Sequence, residues 1–174
     1  MDDLLRQLMD RNEIQEILAR YCRAIDRLDE PMLRSCFHDD SLHDHGYAGP
    51  SEAFCGFALE VLRGCVATHH QLGNISINVR GDVADAESYF TAYHRIGDQP
   101  PAAFGADTAG LDLTIGGRYV DRLERRDGVW RIVHRVGVHD WQRYEPAADR
   151  GFFDLAPDQR GRRDQTDPVY RRGA

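Results

Sequence analysis

Residues 67–79 read ATHHQLGNISINV, and the second half of this stretch alternates: Ile75, Ile77 and Val79 share one face, Asn74, Ser76 and Asn78 the other. A period of two is the pattern of a strand with one buried face. Neighbouring side chains on a strand point to opposite faces, so only one of His69 and His70 can look inward. A histidine so placed can act as acid or base near neutral pH. The plainer reading is a histidine pair closing off a loop.

C-terminal to this stretch the period stays at two. Strands are expected over residues 68–80, 83–96, 111–126 and 129–142, with hairpin signals at Arg80-Gly81-Asp82 and Arg126-Asp127-Gly128. The intervening GDQPPAAFGADTAG is long enough for a flap or rim, and Gly116-Gly117 is a candidate bend point. N-terminal to it the period is three to four. Ile14, Ile17, Leu18, Tyr21, Ile25 and Leu28 mark a helix over about 10–28, with Leu4, Leu5 and Leu8 beginning it or a short helix before it. A short helix follows at Pro31, and a third spans 51–63 with Ser51 as N-cap and Gly64 as its end. The polar HDDSLHDHGYAGPSEAF between them reads as a loop with a short strand near 42–45. Three helices followed by an antiparallel-rich meander make an α+β domain, with helices on the concave face of a strongly curved sheet that encloses a cavity.

The 174 residues allow one domain with a real core; 41% are hydrophobic and 29% charged. The net charge of −7 argues against a nucleic-acid surface. No apolar run approaches the roughly 20 residues of a membrane helix. The first residues are acidic and amphipathic, unlike a signal peptide. Four cysteines without CxxC spacing fit reduced thiols in a cytoplasm. The expectation is a soluble cytoplasmic domain over residues 1–144, then an arm or partly disordered tail over 145–174 whose apolar anchors are Phe152, Phe153 and Leu155. Serine-hydrolase, P-loop and dinucleotide motifs are absent from the sequence.

Candidate chemistry gathers around the histidine pair. Tyr21 lies in the apolar stripe of the first long helix and Asp26 on its flank, near the helix C-terminus. Asp26 is either a solvated partner of Arg23 or Arg27, or a carboxylate at a cavity lip that holds a histidine in one tautomer. His43-Asp44-His45 could share a metal, but without a third ligand at a telling distance it reads as a polar loop. On the second strand of the meander, Phe90 and His94 share one face, Tyr89 and Tyr93 the other.

RNEIQEILARYCRAIDRLD, CFHDDSLHDHG, THHQLGN and ERRDGVWRIVHR, in this order, resemble the SnoaL-like branch of the nuclear transport factor 2-like superfamily over about residues 8–142. Within that branch the chain is similar to bile-acid 7α-dehydratases and hexachlorocyclohexane dehydrochlorinase, with scytalone dehydratase more distant. The resemblance implies a cone-shaped fold and a cofactor-independent, metal-free site made of Tyr21, Asp26, His70 and Arg135. The dehydrochlorinase has a lysine where this chain has Tyr21, which favours the dehydratase-like version. For the last strand, strict alternation from Trp130 and Ile132 puts His134 inward; a bulge would put Arg135 there instead. The activity implied is a dehydratase-type lyase on a cyclic, largely apolar small molecule. Alternatives are a non-catalytic binder of such ligands, or a polyketide- or steroid-type cyclase or isomerase using the same dyad. The expected assembly is a homo-oligomer, trimer or dimer, joined through the outer sheet face.

Overall fold

A computed structural model describes residues 3–148 and 154–171. Three helices, α1 (Asp3–Arg27), α2 (Glu30–Arg34) and α3 (Ser51–Arg63), pack on one six-stranded sheet. Its strands are β1 (Phe37–Asp44), β2 (Ala48–Pro50), β3 (Cys65–Arg80), β4 (Val83–Ile96), β5 (Leu111–Arg126) and β6 (Val129–Pro146), ordered β2-β1-β6-β5-β4-β3. All neighbours are antiparallel except β1 and β6.

α1 is one continuous helix that includes the exposed Leu4, Leu5 and Leu8. Its stripe Ile14, Ile17, Leu18, Tyr21 and Ile25 is buried, as the three- and four-residue spacing requires. Leu28, at a positive φ of 54°, ends the helix, and the Asp29 side chain caps α2 by accepting from the Met32 N–H at 3.0 Å. α3 spans the expected residues, but Ser51 does not cap it. Pro50 occupies the N-cap position, while Ser51 is already helical and its hydroxyl is buried without a protein partner. Gly64 follows α3 with an ordinary negative φ. What it supplies is space, since a Cβ there would come within 2.8 Å of Pro101.

The expected loop at 38–54 is largely strand. β1 covers Phe37–Asp44 because it pairs in parallel with β6, and its inward residues include His38, Ser41 and His43. Polar residues on the buried face hid its period of two. β6 also runs past residue 142, to Pro146.

Of the breaks in sheet register, three reorganise the faces around the cavity. One lies between Leu72 and Ile75 on β3, one opposite Gly116 and Gly117 at Asp140, and one at Val133, between the pairs Leu123–Ile132 and Arg122–His134. Each inserts an extra residue and exchanges the two faces beyond it. Beyond β6, Arg163 donates to the carbonyl oxygens of Asp26 (3.2 Å), Leu62 (2.7 Å) and Cys65 (2.6 Å), covering the C-terminal ends of α1 and α3. Tyr170 donates to Asp29 at 2.7 Å. Phe152 and Phe153 lie outside the described residues.

Glycines at two positions should respond with opposite sign. At Gly117 a Cβ would collide with the Val138 carbonyl oxygen and the Phe90 ring, so Gly117→Ala should cost about 2–3 kcal/mol. At Gly56, on the exposed side of α3 with open space around it, Gly56→Ala should add about 0.5–1 kcal/mol. Urea unfolding of both variants measures this; a Gly117→Ala protein as stable as the parent contradicts the tight bulge.

Candidate active site

Asp26 stands one helical turn after Cys22 on the flank of α1, facing β3. It is 6% exposed. Its Oδ1 accepts from the Thr68 hydroxyl at 2.9 Å and lies 2.8 Å from His70 Nδ1, while Oδ2 accepts the His70 backbone N–H at 2.9 Å. Burial raises the Asp26 pKa, but the hydrogen bonds and charge of His70 and the Thr68 hydroxyl outweigh it and hold the carboxyl below its usual value. Nδ1 of His70 faces the carboxylate, which leaves Nε2 on the other side of the ring. Thr68 is a site residue that the motif reading passed over. It sits two residues before His70, and strand alternation alone puts both on one face.

The register break at 72–75 decides which histidine faces inward. Strict alternation from Ile75, Ile77 and Val79 leads back to His69; the extra residue exchanges the faces, so His70 points in and His69 is exposed. Neither Arg23 nor Arg27 is paired with Asp26. Arg23 lies over the Tyr170 ring and Arg27 reaches Asp167 and the Arg162 carbonyl.

His70 and Tyr21 line a cavity of about 310 Å³ bounded by α1, α3, the segment after β4 and the concave sheet face. Most of the wall is apolar, including Ile25, Phe54, Leu62, Phe90, Phe104 and Ile115. Phe104 and Ala103 come from the expected rim. His94 faces the cavity beside His70, the two rings perpendicular with centroids 5.2 Å apart, and His94 Nδ1 has no protein partner. Burial, and then the charge of His70, pushes the His94 pKa down to about 3. Tyr89 and Tyr93 are on the outer side of β4, where Tyr93 donates to Asp112 at 2.8 Å.

The bulge at Val133 places Arg135 inside and leaves His134 exposed. Arg135 does not reach the cavity surface. It is 0% exposed, forms a bidentate pair with Asp121 at 2.6 and 2.7 Å, and is sandwiched between the rings of Tyr21 (4.0 Å) and Tyr119 (4.3 Å). Burial raises the Tyr21 pKa well above the ordinary phenol value, with Arg135 pulling weakly the other way. Tyr21 is therefore neutral at neutral pH and held in place by a buried cation.

The His43-Asp44-His45 triplet divides. Asp44 is exposed, His45 lines the cavity, and His43 is buried behind it, stacked on Phe54 with both ring nitrogens unpartnered. No group of three or more metal-ligating side chains converges among the described residues. No helix there is long and apolar enough to cross a membrane.

Acid should destabilise the protein through these rings. His43 is pushed down to about 2 by burial, then by Arg135, whereas an unfolded histidine titrates near 6.5. The unfolded state therefore binds more protons below about pH 6.5, and stability falls with pH until the folded values are reached. His43→Phe should remove one such contribution. Its gain over the parent should be about 2 kcal/mol larger at pH 5 than at pH 7.5 by denaturant unfolding. An equal gain at both pH values would show that His43 is not held neutral.

Residues 6–136 match the model of the SnoaL-like domain family. Uncharacterized protein Rv2910c of Mycobacterium tuberculosis is 30% identical over 141 residues, 79% of this chain and 90% of that protein. Among solved structures, a hexachlorocyclohexane dehydrochlorinase (LinA) type 2 superposes with a TM-score of 0.70 at 22% identity, covering 89% of this chain and 98% of that one. A candidate scytalone dehydratase from Novosphingobium aromaticivorans gives a TM-score of 0.66 at 19% identity, covering 83% and 91%. The helices on a curved mixed sheet are the α+β architecture of the nuclear transport factor 2-like superfamily, and within it the chain belongs to the SnoaL-like domain family.

Proposed function

We propose that the protein is a cofactor-independent lyase of the dehydratase type, acting on a cyclic, largely apolar and uncharged small molecule. The observation that carries this reading is the buried 2.8 Å contact between Asp26 Oδ1 and His70 Nδ1, with His70 on the wall of a cavity sized for a small ring compound. His70 Nε2 takes the proton from the carbon next to an activating group. The C–H electron pair becomes the new double bond as the neighbouring C–O bond breaks, and the oxygen leaves with that proton as water. Asp26 orients the ring and stabilises the imidazolium formed on the way. Tyr21, kept neutral, donates a hydrogen bond to the carbonyl or the leaving oxygen. Arg135 is a positioning residue that acts through the Tyr21 ring. The likeness to dehydrochlorinase and scytalone dehydratase structures supports this reading at the level of fold.

A second reading, a non-catalytic binder of the same ligands, draws on the mainly apolar wall; a cyclase or isomerase would use the same dyad on a different bond. Proton exchange separates catalysis from binding. A ligand found by thermal shift over cyclic hydroxy-ketones should exchange its acidic proton in deuterated buffer with the parent protein. Asp26→Asn should bind it with nearly the same affinity yet lose about 10²–10⁴-fold in exchange rate. His70→Ala should lose about as much, and the double variant little more. Tight binding without exchange by the parent protein, across the panel, leaves only the binding role. The proposal also includes a dimer or trimer through the outer sheet face, where Tyr89, Val120 and Trp141 are exposed. Light scattering at a clean 19.8 kDa would contradict that assembly.

A further inference from the structure

A second polar cluster lines the cavity. His45, just past the end of β1, and His139, on β6, have their Nε2 atoms 2.8 Å apart and their rings 87° apart, so one ring N–H points at the other ring's lone pair. The contact is built into the sheet. His45 lies over Gly137 of β6, where a Cβ would collide with its ring, and its edge meets Tyr119 at a centroid distance of 5.8 Å. The extra residue at Asp140 comes just after His139, which keeps that side chain on the concave face while Trp141 turns to the outside against Gly116. His70, by contrast, projects from the edge strand at the other end of the β6-β5-β4-β3 series. Burial, and then His139, lowers the His45 pKa to about 3, and burial lowers that of His139 too, so both rings are neutral at neutral pH.

Two neutral imidazoles carry two N–H donors and two lone pairs between them. Their mutual contact uses one of each. One donor and one acceptor remain, on a wall whose neighbouring surface is Phe54, Phe90 and Tyr119. The two sit at opposite ends of the paired rings, on the Nδ1 atoms, so a ligand hydroxyl group, which can donate or accept, meets one of them while the partner ring holds that ring in place; a purely apolar substituent meets neither. We propose that His45 and His139 form a second binding subsite that receives a hydroxyl on the far end of the ligand, so that the protein takes ring compounds with oxygen functions at two ends. This deepens the proposed function and rests on its placing the reacting end at His70.

The test uses a matched pair of probes, β-tetralone and 6-hydroxy-β-tetralone, titrated calorimetrically at pH 7.5. The hydroxy ketone should bind the parent protein about tenfold more tightly. In His45→Phe, His139→Phe and Gly137→Ala, the last of which displaces the His45 ring with a methyl group, the ratio of the two affinities should fall to about one. Each variant is its own reference, because general loosening of the cavity weakens both ketones and cancels in the ratio. A ratio near one in the parent protein, a tenfold ratio retained in all three variants, or no binding of either ketone overturns the subsite. Exchange of the ketone's α-protons reports separately on His70. A high ratio without exchange keeps the subsite and removes the lyase, and exchange without the ratio does the reverse.

Discussion

The period of two along a strand is the constraint on which the site depends, and the sheet meets it by breaking that period at three places around the cavity. An uninterrupted β3 would turn His69 inward with Ile75 and Ile77, and an uninterrupted β6 would turn His134 inward with Ile132. Bulges at 72–75 and at Val133 exchange these faces and bring in His70 and Arg135 instead. The third, at Asp140 opposite Gly116 and Gly117, lets His139 face inward while Trp141 turns away. Glycine is needed where that bend is tightest: at Gly117 any Cβ would meet backbone as well as the Phe90 ring. The same bulges curl long strands far enough to enclose a cavity under a few helices.

Inside that frame, each buried charge is tied off before it reaches the cavity. The carboxylate of Asp26 has three hydrogen-bond partners on β3, and these also pin the C-terminal end of α1 to the sheet. Arg135 and Asp121 meet in a bidentate pair at 0% side-chain exposure, roofed and floored by tyrosine rings. Removing one member of such a buried pair typically costs about 3–5 kcal/mol, because the other is left as an unpaired charge. Asp10 does similar work at the other half of α1, accepting from Arg125 at 2.6 Å and from the Trp130 indole at 3.0 Å. Site rigidity and fold stability therefore draw on the same contacts.

Much of this was legible from residue order. β4, β5 and α3 begin and end where periodicity and turn chemistry put them; Tyr21 and His70 line one cavity, whereas Asp26 does not reach its wall and stands behind His70. What escaped has a physical reason in each case. β1 reads as a polar loop because His38, Ser41 and His43 occupy its buried face. Alternation alone could not choose between His69 and His70, or between His134 and Arg135, because a bulge leaves only a faint mark in sequence. Asp26 has arginines nearby in sequence, but the segment after β6 engages both of them, which no local pattern records. The His45–His139 contact joins residues 94 apart through parallel pairing of β1 and β6, and neither residue advertises the other.

These placements have one chemical consequence for the proposed reaction. The charged groups Asp26, Asp121 and Arg135 are paired behind the walls, with Arg135 Nη1 left without a hydrogen-bond partner there. Burial keeps Tyr21, His45 and His94, which do face the interior, uncharged at neutral pH. A charged ligand would shed its hydration on entering and meet no free counter-charge, a cost of several kcal/mol per ion. A neutral ring would lose little and gain apolar contact over most of its surface. In the proposed reaction the proton is taken up at His70, where the Asp26 carboxylate is already oriented toward the ring. In a low-dielectric pocket such preorganisation is worth more than it would be in water, since nothing has to reorganise as the proton moves. An apolar wall with one fixed carboxylate behind its base thus stabilises positive charge at His70 where the proposed reaction develops it, which is the condition for a barrier to fall and not merely for a ligand to bind.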